Sequence, residues 1–78
     1  MDWEALLSEI EACHACPLRD ECSRVVPGEG DREASLMFIG EGPGADEDRL
    51  GRPFVGKAGQ LLTKMIEAVG MTREQVYI

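Results

Sequence analysis

Two cysteines, a run of glycines and one phenylalanine are the residues of this sequence whose types and spacing point to chemistry. Cys13-His14-Ala15-Cys16 sets two thiols close enough to share one metal ion or cluster, although two thiolates are only half of a ligand set. Cys22 could be a third ligand, although a small buried thiol is the safer reading, and His14 reads as an exposed bystander. A redox-active Cys-x-x-Cys pair usually opens a helix after a strand, whereas this pair follows a helical pattern, which disfavours thiol exchange. Gly40-Glu41-Gly42-Pro43-Gly44 directly follows an apolar run. Glycines at the carboxyl end of a strand let backbone N–H groups approach a ligand; the plain alternative is a tight turn that needs glycine for its dihedrals. Phe54 lies in a polar, glycine-bounded loop where no helical or strand period would bury it. Such a ring is either core filler or a face on which a planar ligand stacks. Asp46-Glu47-Asp48 reads as a solvated, loop-shaping acidic group, with Glu47 near enough to line a pocket.

Three common ligand loops are excluded by one or two residues each. Gly51 to Ala58 nearly spells a phosphate-binding loop, but Ala58 stands where Ser or Thr would hold magnesium and Pro53 removes a backbone donor. No strand pattern precedes it. Gly40 to Gly44 fails as a dinucleotide fingerprint because Ala45 occupies the position of the third glycine. Asp46-x-Asp48-x-x-Gly51 fails as a calcium loop because Leu50 and Lys57 sit where oxygen ligands are needed.

The elements that must position these residues follow from periodicity. Asp2 as N-cap and Trp3, Leu6, Leu7 and Ile10 at helical spacing predict an amphipathic helix over residues 2–12. Residues 13–30, with Pro17, Pro27, Gly28 and Gly30, read as a connection. Ala34 to Ile39 is a short continuous apolar run, the pattern of a buried parallel strand. Residues 40–57 read as a long irregular loop. Leu61, Leu62, Met65, Ile66 and Val69 define a second helix from about Ala58, closed by Gly70 in a left-handed cap. Thr72 and Gln75 suggest a capping box for one turn, and Val76-Tyr77-Ile78 opens a second strand. This β-loop-α-β order places the second strand beside the first, and the 78 residues read as part of one α/β domain without an internal boundary.

A chain of 78 residues has a small core, and 44% hydrophobic with 29% charged residues is the composition of a folding chain rather than a disordered one. The N-terminus lacks the pattern of a signal peptide and no apolar run approaches a membrane span, so a cytoplasmic protein without a membrane partner is expected. A formal net charge of −7 argues against this segment gripping phosphates by itself, because that needs clustered Lys and Arg.

Taken in order, Cys13-x-x-Cys16, Val25-Val26-x-Gly28-Glu29-Gly30, Leu36 to Gly44 and Gly51-Arg52-Pro53-Phe54-Val55-Gly56-Lys57-Ala58-Gly59-Gln60-Leu61-Leu62 resemble the iron-sulfur uracil-DNA glycosylases of the family-4 type. The resemblance runs from Cys13 to Ile78, and it is the joint spacing of four motifs that makes it specific. It implies a three-layer α/β/α sandwich around a parallel sheet, and a 4Fe-4S cluster for which Cys13 and Cys16 match two of four ligands. It implies that Gly40, Glu41 and Gly42 line a uracil pocket, with Glu41 at its floor as the candidate catalytic carboxylate and Phe54 stacking on the flipped base. Gly42 falls where other uracil glycosylase families place a water-activating aspartate. The family's remaining cysteines, its uracil-reading asparagine and its histidine are expected beyond Ile78, so the segment alone is expected to be inactive on uracil-containing DNA. Cys22 departs from the pattern, standing where relatives often have arginine. The competing expectation is a small metal-binding or interaction module that self-associates through an unpaired sheet edge; a relative acting on another base is a third.

Overall fold

The computed structural model describes residues 2–78. The first helix, α1, spans Trp3–Ala12, and the Asp2 carboxylate caps it by accepting from the N–H groups of Glu4 at 3.0 Å and Ala5 at 3.4 Å. No α1 side chain is fully buried. The helix is fastened through Trp3, whose ring lies 5.4 Å from that of Tyr77 and carries the Arg32 guanidinium 4.8 Å above it. Aromatic and cation–π contacts of this kind contribute about 0.5–1.5 kcal/mol each. α2, Leu18–Glu21, is a single turn inside the stretch read as a connection. Pro17 starts it with φ −62°, but four residues are too few for a period to register.

α3, Ala45–Leu50, lies in the stretch read as an irregular loop. Its formation is electrostatic rather than hydrophobic. The Glu47 carboxylate accepts the Gly44 N–H at 3.0 Å, and Asp46, Glu47 and Asp48 occupy the positive end of the helix. Asp48 also accepts the N–H of Ser23 at 2.8 Å and of Arg24 at 3.4 Å, tying the cysteine-bearing connection to α3. Those bonds, Ser23 first, hold the Asp48 carboxyl below its ordinary value. The acidic group is therefore loop-shaping, as expected, but only Asp46, paired with Arg49 at 3.3 Å, belongs to an exposed face.

α4 spans Lys57–Ala68. Leu62 and Ile66 face the core, while Leu61, Met65 and Val69 of the same apolar pattern stay exposed. Gly70, at φ +82°, closes the helix. Its N–H reaches Glu67 O at 3.0 Å and that of Met71 reaches Ile66 O at 3.2 Å, the paired bonds of a left-handed glycine cap. A 3-10 turn over Arg73–Gln75 follows, with Gln75 accepting the Thr72 N–H at 2.9 Å.

This turn delivers residues 76–78 between two other segments. Tyr77 bridges Met37 in parallel, with Phe38 N to Tyr77 O at 2.8 Å and Tyr77 N to Leu36 O at 3.1 Å. On the other side residues 29–31 run antiparallel, exchanging two bonds between Glu29 and Ile78. The parallel neighbour expected of the β-loop-α-β order is thus present. The continuous sheet and the sandwich are not, because pairing stops at isolated bridges among the described residues. Two or three residues per segment cannot sustain a ladder.

The core is centred on Ile66, Val76 and Ile78, with Phe38, Phe54, Leu62 and Met71 packed against it. The 34–39 segment is not buried as its composition predicts: Met37 is 56% and Ile39 85% exposed. Among the described residues only one side of it is covered. Among the described residues no helix is long and apolar enough to cross a membrane.

Two sets of contacts fix how α4 meets the chain before it. A Cβ built on Gly59 would fall 2.0 Å from the carbonyl carbon and oxygen of Phe54. In addition, Glu29 accepts a bidentate pair from Arg52 at 2.8 Å each and a third bond from Arg73 at 3.2 Å. The Arg52 hydrogen bond, with Arg73 adding to it against the cost of burial, holds the Glu29 carboxyl below its ordinary value.

Two outcomes follow. By helix propensity alone Gly59→Ala would stabilise α4 by about 1 kcal/mol, whereas backbone overlap reverses the sign and costs at least about 2 kcal/mol; a urea titration of the protein reads the sign directly. For Glu29, a folded-state pKa below the unfolded one contributes stability above the ordinary glutamate value, and that stability is lost as pH falls through the lowered value. The denaturation midpoint is expected to drop across the acidic carboxylate range, and Glu29→Gln to flatten that drop while lowering stability at neutral pH.

Candidate active site

The glycine turn and the Phe54 loop face each other across one cavity of about 470 Å³. Gly40, Gly42, Pro43 and Gly44 form one wall, and Pro53, Phe54, Ala58 and Gly59 another. Glu47 lies between them, and Phe38, Tyr77 and Ile78 contribute from the paired segments. Volume and apolar character suit a small planar molecule.

Phe54 dominates the geometry. A Cβ on Gly40 would lie 2.7 Å from Phe54 Cε2 and 3.0 Å from Cζ, so the ring edge rests where only a glycine leaves room. A Cβ on Gly42, by contrast, would meet nothing within 4 Å, so the wall is open there. Phe54 itself has φ +50°. A bulky residue held in that left-handed region costs about 1–3 kcal/mol, and it persists only where its surroundings impose it.

Two charged side chains impose it, from opposite sides of the peptide chain. The Arg73 guanidinium, only 15% exposed, donates to the carbonyls of Pro53 and Phe54, both at 2.9 Å, to Thr63 Oγ1 at 3.1 Å and to Glu29. Thr63 Oγ1 in turn donates to Gly59 O at 3.0 Å. The Glu47 carboxylate accepts the next two N–H groups, Val55 at 2.8 Å and Gly56 at 2.7 Å, while its other oxygen holds Gly44. The N–H groups of Gly56 and then Val55 keep the Glu47 carboxyl below its ordinary value. An ionised carboxylate so committed is a brace for both walls and a poor proton acceptor.

Glu41 sits elsewhere. It is exposed, and the cavity lining passes from Gly40 to Gly42 without it. The chain bends at Glu41, between the two lining glycines. Of the residues singled out in the sequence, the structure brings together Gly40, Gly42, Glu47 and Phe54. It leaves Glu41 beside them.

Cys13 and Cys16 are both exposed, on the connection after α1. Cys22 is half-buried and engaged with its own turn: Sγ donates to Arg19 O at 3.4 Å and accepts from Arg19 Nη1 at 3.6 Å. No group of three or more metal-binding side chains gathers among the described residues. The donor chemistry fits two thiolates at one edge of a cluster, with Cys22 turned elsewhere.

Sequence reasoning missed Arg73, Glu29 and Arg52. Glu29 and Arg52 stand inside the motifs that carry the resemblance, but they pair across 23 residues, and Arg73 reaches Glu29 across 44. No local period marks such partners. The available signal was charge: Arg73 is a cation in a short turn between two apolar segments, where an unpaired charge would be costly.

Residues 27–78 match the sequence model of the uracil DNA glycosylase superfamily. The chain is 48% identical over 75 residues to the type-4 uracil-DNA glycosylase of Thermotoga maritima, covering 96% of this chain and 39% of that protein. It is 48% identical over 73 residues to the type-4 enzyme of Archaeoglobus fulgidus, covering 94% and 37%. Against the type-5 uracil-DNA glycosylase of Thermus thermophilus the identity is 35% over 91 residues, covering 92% of this chain and 42% of the relative. The chain thus spans about two fifths of the length of these relatives, and within that span the superfamily match takes in both cavity walls. The chain belongs to the uracil DNA glycosylase superfamily, and the resemblance its motifs carry is to the type-4 members.

Proposed function

We propose that this chain supplies the base pocket of an enzyme that hydrolyses the N-glycosidic bond of uracil flipped out of DNA. The Phe54 ring held against Gly40, at the edge of a cavity with room for a base, carries the reading. A flipped base is recognised by stacking and by edge contacts. Phe54 offers the first, and the backbone of Gly40 and Gly42 the second. Bond cleavage leaves negative charge on the departing uracil, which backbone N–H groups of a glycine turn stabilise without a proton transfer.

The carboxylates divide the remaining work. Glu47, braced by three N–H groups, shapes the pocket. Glu41, exposed and flanked in sequence by the lining Gly40 and Gly42, is the carboxylate to which we assign the activation of water. With a net charge of −7 on these residues, the DNA backbone is gripped from other surfaces.

Cys13 and Cys16 would hold one edge of a 4Fe-4S cluster, acting as a staple for the connection after α1. A cytoplasmic setting keeps such exposed thiols reduced. The parallel bridge between Met37 and Tyr77, with α4 in the crossover, is the unit from which a three-layer α/β/α sandwich is built. The open side of 36–39 is where further strands would join, and failing them a second copy of the chain.

In a complete enzyme carrying this segment, Phe54→Ala is expected to slow single-turnover uracil release by about 10- to 100-fold, the equivalent of 1–3 kcal/mol of lost stacking. Glu41→Gln is expected to slow the same step strongly while leaving DNA affinity intact; an unchanged rate removes Glu41 from the mechanism. Protein purified without oxygen should be brown and contain iron, and Cys13→Ser should lose both colour and iron. Colourless, iron-free wild type rules out the cluster.

A further inference from the structure

We infer that Arg73 is a positioning residue for this reaction, acting through the backbone of Phe54 to hold its ring over Gly40. The inference rests on the glycosylase reading for its chemistry but on geometry for its substance. Arg73 does not line the cavity, so it touches no substrate there. Its guanidinium is mostly buried and divides its donors among four acceptors: Pro53 O, Phe54 O, Thr63 Oγ1 and Glu29 Oε2. Two of these belong to the residue at φ +50° and its predecessor. The other two fix the guanidinium itself, one on α4 and one on the segment that runs beside residues 76–78.

The shape of the fork matters here. A planar guanidinium reaches adjacent carbonyls and two side-chain oxygens at once, whereas a lysine ammonium has three donors on a point charge and cannot satisfy all four. Without the fork, two carbonyls next to a strained φ lose their partners and the loop has a relaxed alternative. The ring would then leave the glycine turn even if α4 and the core stay folded.

A double-mutant cycle separates this role from a purely structural one. In the complete enzyme, R73Q is expected to slow single-turnover uracil release by about 10- to 100-fold, as misplacing a binding group does, with R73K intermediate. In an F54A background the same substitution is expected to change the rate by less than about twofold, because the ring it positions is gone. Equal slowing in both backgrounds, or none in either, overturns the inference. If R73Q does not fold, R73K carries the cycle to the same decision. Amide hydrogen exchange gives a readout independent of catalysis: R73Q, or R73K in its place, should raise exchange at Val55 and Gly56 while the interior of α4 stays protected. Unchanged exchange at those two amides overturns the inference even if the wild type releases no uracil, an outcome that would by itself defeat the glycosylase reading and leave the positioning of Phe54 standing.

Discussion

Residues 53–56 cannot hold their shape by local bonding, and the site depends on what holds it for them. Proline at 53 offers no N–H, and a positive φ at 54 carries the peptide groups away from any helix or ladder. Two carbonyls and two N–H groups are left facing opposite ways. Arg73 takes the carbonyls and Glu47 takes the N–H groups. Hydrogen bonds to charged groups contribute about 1.5–3 kcal/mol each, so the pair from the half-buried Arg73 offsets a backbone strain of about 1–3 kcal/mol. The brace from Glu47 is more exposed and adds direction: the carboxylate that holds Val55 and Gly56 also holds Gly44, so one side chain sets the distance between the two walls.

The missing side chains of two glycines complete the slot. Gly59 lets the Phe54 carbonyl lie directly on α4, and Gly40 lets the ring edge lie on the turn. Ring and peptide are therefore confined from both ends. A small core of Ile66, Val76 and Ile78 suffices for this because the loop is positioned by charge and contact rather than by hydrophobic depth.

What could be read from sequence divides along the same physical line. Trp3–Ala12 and Lys57–Ala68 were legible because both have an apolar period, one with a side-chain cap at Asp2 and the other with a glycine stop at Gly70. Leu18–Glu21 and Ala45–Leu50 were not, since a single turn has no period and the second forms around bonds from Glu47 and Asp48. The pairing of Met37 with Tyr77 followed from element order, while the burial of 34–39 depends on layers that local sequence does not encode. Within the site, Gly40 and Phe54 declared themselves because a glycine turn and a stray ring are locally odd. Arg73 and Glu29 are ordinary charged residues whose meaning is a partner far along the chain.

The near phosphate-binding loop at residues 51–58 acquires a physical explanation from these contacts. Pro53 and Ala58 already weaken it as a phosphate cradle, yet the N–H groups of Val55 and Gly56 still converge on an anion just ahead of α4, as they would on a phosphate. The anion is the chain's own Glu47. Occupying those donors internally removes them from any ligand and frees the loop to present a ring instead. A carboxylate held below its ordinary value by backbone N–H groups is a poor acceptor for a proton from water, so Glu47 serves as a brace. The bonds that shape the pocket thereby commit Glu47 to structure, and with it the two walls it ties together.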